Sequence, residues 1–255
     1  MSVEIALTKE NINGYLFDLG KRYRKLSGKK VPTEIILIGG ASILINYGFR
    51  DVTYDADAII FASSVMKDAI NFVRDKHGLP YDWMNEGVKR TNSYTNKLIE
   101  VSVYYRTFSN ILEVRTVAAE YLIAMKVMSG RQYKYDLSDI VGILWEHSER
   151  GQPITRKAID DAIKFLYGEK EIPEISTSTL DDIFSDTFND YKQYYEFVRN
   201  KEIEAKEILT EFNKTNPGEL KGKNISSVIN EIRLRESIEA TETSSIEIIT
   251  DERTD

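Results

Sequence analysis

Asp55 and Asp57 stand two residues apart in the run Asp55-Ala-Asp-Ala-Ile-Ile60, and on an extended chain that spacing sends both carboxylates to one face. A sheet face that must bury apolar surface does not accommodate two acids, so the pair marks a place where negative charge has a use. Two carboxylates held this way can bridge a divalent cation, and Mg²⁺ suits them when substrate phosphates complete its octahedron. Upstream, the apolar run of Leu37-Ile38 ends in Gly39-Gly40 and is followed by Ala41-Ser42. Glycines let backbone N–H groups approach phosphate oxygens, and a helix start just beyond them adds a favourable partial charge. Ser42 can donate one more hydrogen bond. Alone, the acid pair is strand-edge polarity and the glycine pair a turn; in succession they describe a phosphate-and-metal site.

Other candidates lie downstream. Lys126 sits among Leu122, Ile123, Met125 and Val127, where a lysine is either a snorkelling edge residue or a cation brought to phosphate. Asp136 and Asp139 are either the cap and first-turn acid of a helix with core positions Ile140, Ile143 and Leu144, or distal acids of the same site. Glu100 and Glu113 alternate with apolar neighbours on predicted strands, and either is a candidate third metal-site acid. His77 and His147 belong to no ligand-spaced cluster and read as a helix-end and a surface residue.

Thr8 caps a predicted helix with apolar positions Ile12, Tyr15, Leu16, Leu19, Tyr23 and Leu26, closed by Gly28. Glu34–Ile38 reads as a buried strand that Gly39-Gly40 ends, Ala41–Tyr47 as a short helix, Asp55–Phe61 as the next strand and Ser63–His77 as a helix. Lys97–Tyr105 and Ile111–Arg115 form an expected hairpin about Ser109-Asn110. Helical periodicity then takes over, with Thr116–Ser129, Asp136–Glu149 and Thr155–Leu166 closed by Gly130, Gly151 and Gly168. Residues 169–177 read as a polar link. Beyond them lie a charged helical stretch with an aromatic stripe (Tyr191, Tyr194, Tyr195, Phe197), a break at Asn216-Pro217-Gly218 and a further helix to Arg235. The tail from Ser237 is expected to be disordered. Four segments follow: 1–115 mixed α/β, 116–168 helical and continuous with it, 169–236 a helical C-terminal region, and 237–255 the acidic tail.

The 255 residues are 42 % hydrophobic and 29 % charged with no cysteine, which excludes disulfides, thiolate zinc sites and cysteine nucleophiles. No apolar run long enough to span a membrane and no secretory leader pattern is present, so a cytoplasmic protein without a membrane partner is expected. The net charge of −7 is uneven, since six acids and Arg253 give the tail from Ser237 a charge of −5. Two stretches are basic: Lys21, Arg22, Arg24, Lys25, Lys29 and Lys30, then Lys126, Arg131 and Lys134. Either can meet phosphates or serve as a solvated face.

The order of apolar strand, Gly-Gly, helix and Asp-x-Asp on the next strand resembles the signature of the polymerase β-like nucleotidyltransferase superfamily. More specifically, Arg50-Asp-Val-Thr53-Tyr-Asp55-Ala-Asp57, with Tyr121-Leu-Ile-Ala-Met-Lys126, Arg131 and Lys134-Tyr-Asp136-Leu-Ser-Asp139, resembles AbiEii-type toxins of type IV toxin–antitoxin systems and their uncharacterised relatives. Asp82-Trp83-Met84-Asn85 adds a short further match. The likeness covers roughly residues 33–145. It implies an α/β (α+β) fold, a small mixed sheet flanked by helices and followed by a helical C-terminal region. It further implies Asp55 and Asp57 as ligands of Mg²⁺ or Mn²⁺, and Gly39, Gly40, Ser42, Thr53, Lys126 and Arg131 as nucleotide-binding residues. Lys126, Asp136 and Asp139 would join the two aspartates in catalysis. The implied partners are an NTP substrate, tRNA or another RNA or a protein hydroxyl as acceptor, and a cognate antitoxin protein. A small-molecule nucleotidyltransferase, such as one acting on an antibiotic, and a non-catalytic binding subunit of the same fold are the alternatives. The intact Asp-x-Asp speaks against the last.

Overall fold

The computed structural model describes residues 5–28, 31–61, 64–185, 190–222 and 224–235; the acidic tail from Ser237 lies outside them. They form two compact units. The first comprises residues up to Gly130 together with Asp136–Tyr195, and the second Arg131–Tyr135 together with the chain from Glu196.

The first unit has the expected mixed α/β architecture. Strand β1 (Leu7–Thr8) leads directly into α1 (Lys9–Leu26). Thr8 and Asn11 close a reciprocal capping box, each side chain accepting from the other's backbone N–H at 3.3 and 2.9 Å. Then follow β2 (Thr33–Leu37), α2 (Gly39–Asn46), β3 (Val52–Thr53), β4 (Ala56–Ile60), α3 (Ser64–His77), β5 (Met84–Asn85), β6 (Ser102–Phe108) and β7 (Leu112–Val117). Helices α4 (Ala119–Ser129), α5 (Asp136–Glu149), α6 (Arg156–Tyr167) and α7 (Glu174–Phe184) complete it, with the start of α8 (Tyr191–Thr215).

Five strands pair in the order β5-β4-β2-β7-β6; β2 is parallel to β7 and antiparallel to β4, and β5 is parallel to β4. β1 and β3 form a separate antiparallel ribbon, Leu7 opposite Thr53, which ties the start of α1 to the segment leading into β4. One face of the sheet presents Ile35, Leu37, Ala56, Ala58, Leu112 and Val114 to Ile12, Leu16 and Leu19 of α1 and to Met66, Ala69 and Val73 of α3. Strand alternation therefore turns Asp57 to the opposite face, where its neighbours across the ladder belong to β2 and β5. On that side α4 is buried from Leu122 to Met128 and packs with α2, α5, α6 and α7.

Several expected boundaries move. Gly39-Gly40 do not end β2 but form the first turn of α2, because Ile38 takes the extended N-cap conformation and Gly39 the left-handed one at φ +56°. The hairpin strand starts at Ser102 instead of Lys97: Thr95 accepts from Lys97 N–H and starts a 3-10 turn over Asn96–Leu98. Glu100 consequently lies in an exposed turn and not on a strand. β7 runs on to Val117, so α4 begins three residues after the expected Thr116. The expected link 169–177 contains the start of α7, with Pro173 at its N-cap.

In the second unit, Ala205, Leu209, Val228 and Ile229 form a small core between the later turns of α8 and a last helix at 225–235, with Tyr133 and Phe212 packed against it. Among the described residues no helix is long and apolar enough to cross a membrane.

Candidate functional site

The site is assembled where β2 turns into α2. Ile38 N–H donates to the Asp57 carbonyl at 2.9 Å, fixing the end of β2 against β4 beside the carboxylate. A Cβ placed on Gly39 would lie 3.7 Å from Asp57 Oδ2, so the left-handed turn and the half-buried carboxylate face the same space. Asp55 is exposed and precedes β4, on the parity of Asp57. Ser42, in the first turn of α2, is wholly buried, and its Oγ has no hydrogen-bond partner among the described residues. A buried hydroxyl, a glycine turn and two carboxylates of one parity are thus gathered on the segments that meet at the end of β2.

Gly40 has a different neighbourhood. A Cβ there would meet Thr53 Oγ1 at 2.7 Å, Arg50 Nη2 at 2.9 Å and Arg50 Cζ at 3.2 Å. Thr53 is buried, and its hydroxyl donates to the Asp55 carbonyl at 3.3 Å. The hydroxyl thus braces the turn that presents the first aspartate. Arg50 reaches from the same turn to Asp139, Nη1 to Oδ2 at 2.6 Å, while its Nε donates to the Val52 carbonyl at 3.1 Å.

Behind Arg50 lies a buried ionic cluster. Lys126 Nζ sits 2.8 Å from Asp136 Oδ1 and 2.8 Å from Asp139 Oδ2, so Asp139 is shared between Arg50 and Lys126. Lys126 is 6 % exposed, Asp139 1 % and Asp136 not at all. Burial works against the Lys126 ammonium, but Asp136 and Asp139 more than reverse it, despite Arg50, and hold its pKa above the ordinary lysine value. Burial likewise opposes the Arg50 charge, and Asp139 outweighs it, so the guanidinium too is held above its usual value. Asp136 and Asp139 occupy the first turn of α5, and Asp139 is also bound by Arg50.

Expected site residues are not all brought together. Arg131 is half-buried and belongs to the second compact unit. Glu113 lies opposite Glu34 in the β2–β7 register and pairs with Arg115 at 2.8 Å, three residues along β7 from the Thr116 that faces Leu37. Neither it nor Glu100 stands beside Asp57. Asn85 does: it is the register partner of Asp57 on β5, with Oδ1 accepting from Gly87 N–H at 2.6 Å. Among the described residues no group of three or more His, Cys, Asp or Glu side chains is arranged to hold a metal ion. His77 bonds to Asp18 at 2.7 Å and His147 to the Tyr47 hydroxyl at 3.3 Å, both apart from this site.

The residues sequence reasoning left unassigned are Arg50 and Asn85. Arg50 stood inside a quoted motif, and Asn85 ended the Asp82–Asn85 match; the position of each follows only from the fold. The basic residues Lys21, Arg22, Arg24 and Lys25 lie toward the C-terminal end of α1, where Arg24 bonds to the Ser109 carbonyl at 3.4 Å, whereas Thr8 at the other end is tied to β3.

A family model described as nucleotidyltransferase of unknown function (DUF6036) matches residues 14–150, more than half of the chain and all of the site elements from β2 to α5. No curated protein and no solved structure matches the chain.

Proposed function

The chain belongs to this family of nucleotidyltransferases, and we propose on that premise that it moves a nucleoside monophosphate from an NTP to an acceptor hydroxyl, releasing pyrophosphate. The observation that carries the proposal is the shared space of Gly39 and Asp57: a glycine turn at a helix start faces a carboxylate 3.7 Å from where a side chain would begin. The first-turn N–H groups of α2 would hold phosphate oxygens, and Gly39 leaves room for them to approach. Asp55 and Asp57 would hold Mg²⁺ or Mn²⁺, and the carboxylate pair fits such an ion because substrate phosphates supply the remaining oxygens. When bound, the cation supplies positive charge at the reacting phosphoryl group and lowers the pKa of the acceptor hydroxyl. Thr53 braces the turn carrying Asp55, and the Arg50–Asp139–Lys126–Asp136 cluster fixes that turn against α5.

The acceptor we propose is RNA, such as the acceptor end of tRNA, or a protein hydroxyl, and the biological role that of a toxin neutralised by a cognate antitoxin. The resemblance of the Arg50–Asp57 and Lys126–Asp139 stretches to AbiEii-type toxins supports this. Incubation of the protein with Mg²⁺, each labelled NTP in turn, and total RNA, a cell lysate or an aminoglycoside tests it. Label in RNA or a protein is expected; label in the aminoglycoside alone would establish the small-molecule reading, and no label anywhere would refute the proposal. Asp57→Asn should lower transfer by a factor of about 10³ or more while the melting temperature holds, since removing one of two adjacent carboxylates relieves repulsion.

A further inference from the structure

We infer that Arg50, and not Lys126, is the side chain that grips the nucleotide's phosphates, through the Nη2 edge of its guanidinium beside Gly40; this rests on the reading of Gly39-Gly40 as the phosphate cradle. A guanidinium presents two usable edges, and here they are divided. Nη1 is spent on Asp139 at 2.6 Å and Nε on the Val52 carbonyl at 3.1 Å. Nη2 donates to no other group among the described residues, and a Cβ on Gly40 would stand 2.9 Å from it. The nitrogen therefore lies against the first turn of α2, where backbone N–H groups are still without helical acceptors.

Lys126 is differently placed. Its Nζ is 2.8 Å from both Asp136 and Asp139, the more deeply seated members of the cluster. Reaching a phosphate would oblige it to abandon two buried carboxylates, at a cost a new contact in water-exposed space does not recover. Arg50 needs to give up nothing, because the Nη1–Asp139 bond holds the plane while the other edge bonds to a phosphate oxygen. Asp139 and Lys126 then act as positioning residues for Arg50. The arrangement suits arginine, since two nitrogens of one rigid plane can bond Asp139 and a phosphate oxygen that lie too far apart for a single ammonium to reach both.

The test uses the full chain and inorganic triphosphate with Mg²⁺, titrated by calorimetry, which removes any dependence on the base or the acceptor. Arg50→Lys retains a cation for Asp139, so its melting temperature should stay within a few degrees of wild type while triphosphate affinity falls about tenfold or more. Lys126→Arg, which retains the buried charge but acts only through the placement of Arg50, should lose less triphosphate affinity than Arg50→Lys does. Arg50→Gln, which keeps a hydrogen bond to Asp139, repeats the measurement should Arg50→Lys not fold. Unchanged affinity in the folded Arg50 variants would overturn the inference, as would a tenfold loss in folded Lys126→Arg without one in Arg50→Lys. If wild type bound neither inorganic triphosphate nor any of the four NTPs, the phosphate-cradle reading would fall, and the inference with it.

Discussion

Replacing Lys126 with methionine isolates the energetic weight of the buried ionic cluster. Methionine fills much of the same volume in an otherwise apolar helix, so the perturbation is loss of charge more than loss of packing. Asp139 retains Arg50, but Asp136, with no exposed surface, is deprived of its 2.8 Å contact with Nζ. Removing one partner of a buried pair costs about 3–5 kcal/mol, against a total stability of about 5–15 kcal/mol for a domain. An exposed pair would cost at most about 1 kcal/mol. The sign of the pH dependence separates the two cases. In wild type the Lys126 pKa is raised on folding, so its contribution is complete below the unfolded lysine value of about 10.4 and is lost only as pH rises beyond it. Wild type should thus show no loss from this residue between pH 5 and 9. In Lys126→Met the buried cluster carries one positive charge fewer, and uptake of a proton would offset it, so the deficit should shrink as pH falls from 7 toward 5. Urea denaturation followed by circular dichroism at both pH values measures this. A deficit below about 1 kcal/mol, or one independent of pH, would refute the account of a desolvated cluster. Adding Asp136→Asn to Lys126→Met should recover part of the loss.

Other consequences are open to measurement. Gly40→Ala would gain up to about 1 kcal/mol of helix propensity but would push against Thr53 and Arg50 at 2.7 and 2.9 Å, an overpacking worth about 1–3 kcal/mol. A net destabilisation with a larger loss of nucleotidyl transfer is expected, and a stabilised, fully active variant would contradict the close approach. Burial pushes the Asp18 carboxyl up, but bonds from Lys76 at 2.6 Å and His77 at 2.7 Å more than reverse it and leave its pKa lowered. Its contribution is therefore present above the unfolded value of about 3.9 and lost as pH falls through the folded one. Asp18→Asn should cost about 1 kcal/mol at pH 7 and almost nothing near pH 3 in chemical denaturation; equal costs at both would exclude the linkage.

What the chain discloses before folding follows from the range of each interaction. The capping box at Thr8 and Asn11 is local, and the helix it starts is found where its apolar spacing puts it. The Asp-x-Asp and Gly-Gly pairs are local too, and their meeting requires only that β2 and β4 be neighbours. Local signals misled where polar composition hid a helix start: Pro173 and Glu174 looked like a link, yet Ser176, Thr179, Leu180 and Ile183 bury one face of α7. The pairing of Lys126 with Asp136 is ten residues apart and visible only as a choice of roles. Arg50 and Asp139 are 89 residues apart, and no periodicity announces their contact. Asn85 is hidden for another reason, because β5 is two residues long and gains its register from β4 alone.

The lysine in α4 also constrains the route by which the protein folds. From Leu122 to Met128 that helix is buried on every side, and the acids that neutralise Lys126 lie on α5, across the Gly130–Tyr135 connection. If α4 docked alone, it would carry a bare ammonium into an apolar layer; if α5 docked alone, Asp136 and Asp139 would enter with Arg50 but without the Lys126 ammonium between them. Both intermediates are costly, so the two helices are expected to enter the core as one cooperative unit. Their backbone amides should accordingly exchange with solvent through the same opening event, with matching free energies, even where their hydrogen bonds differ in depth.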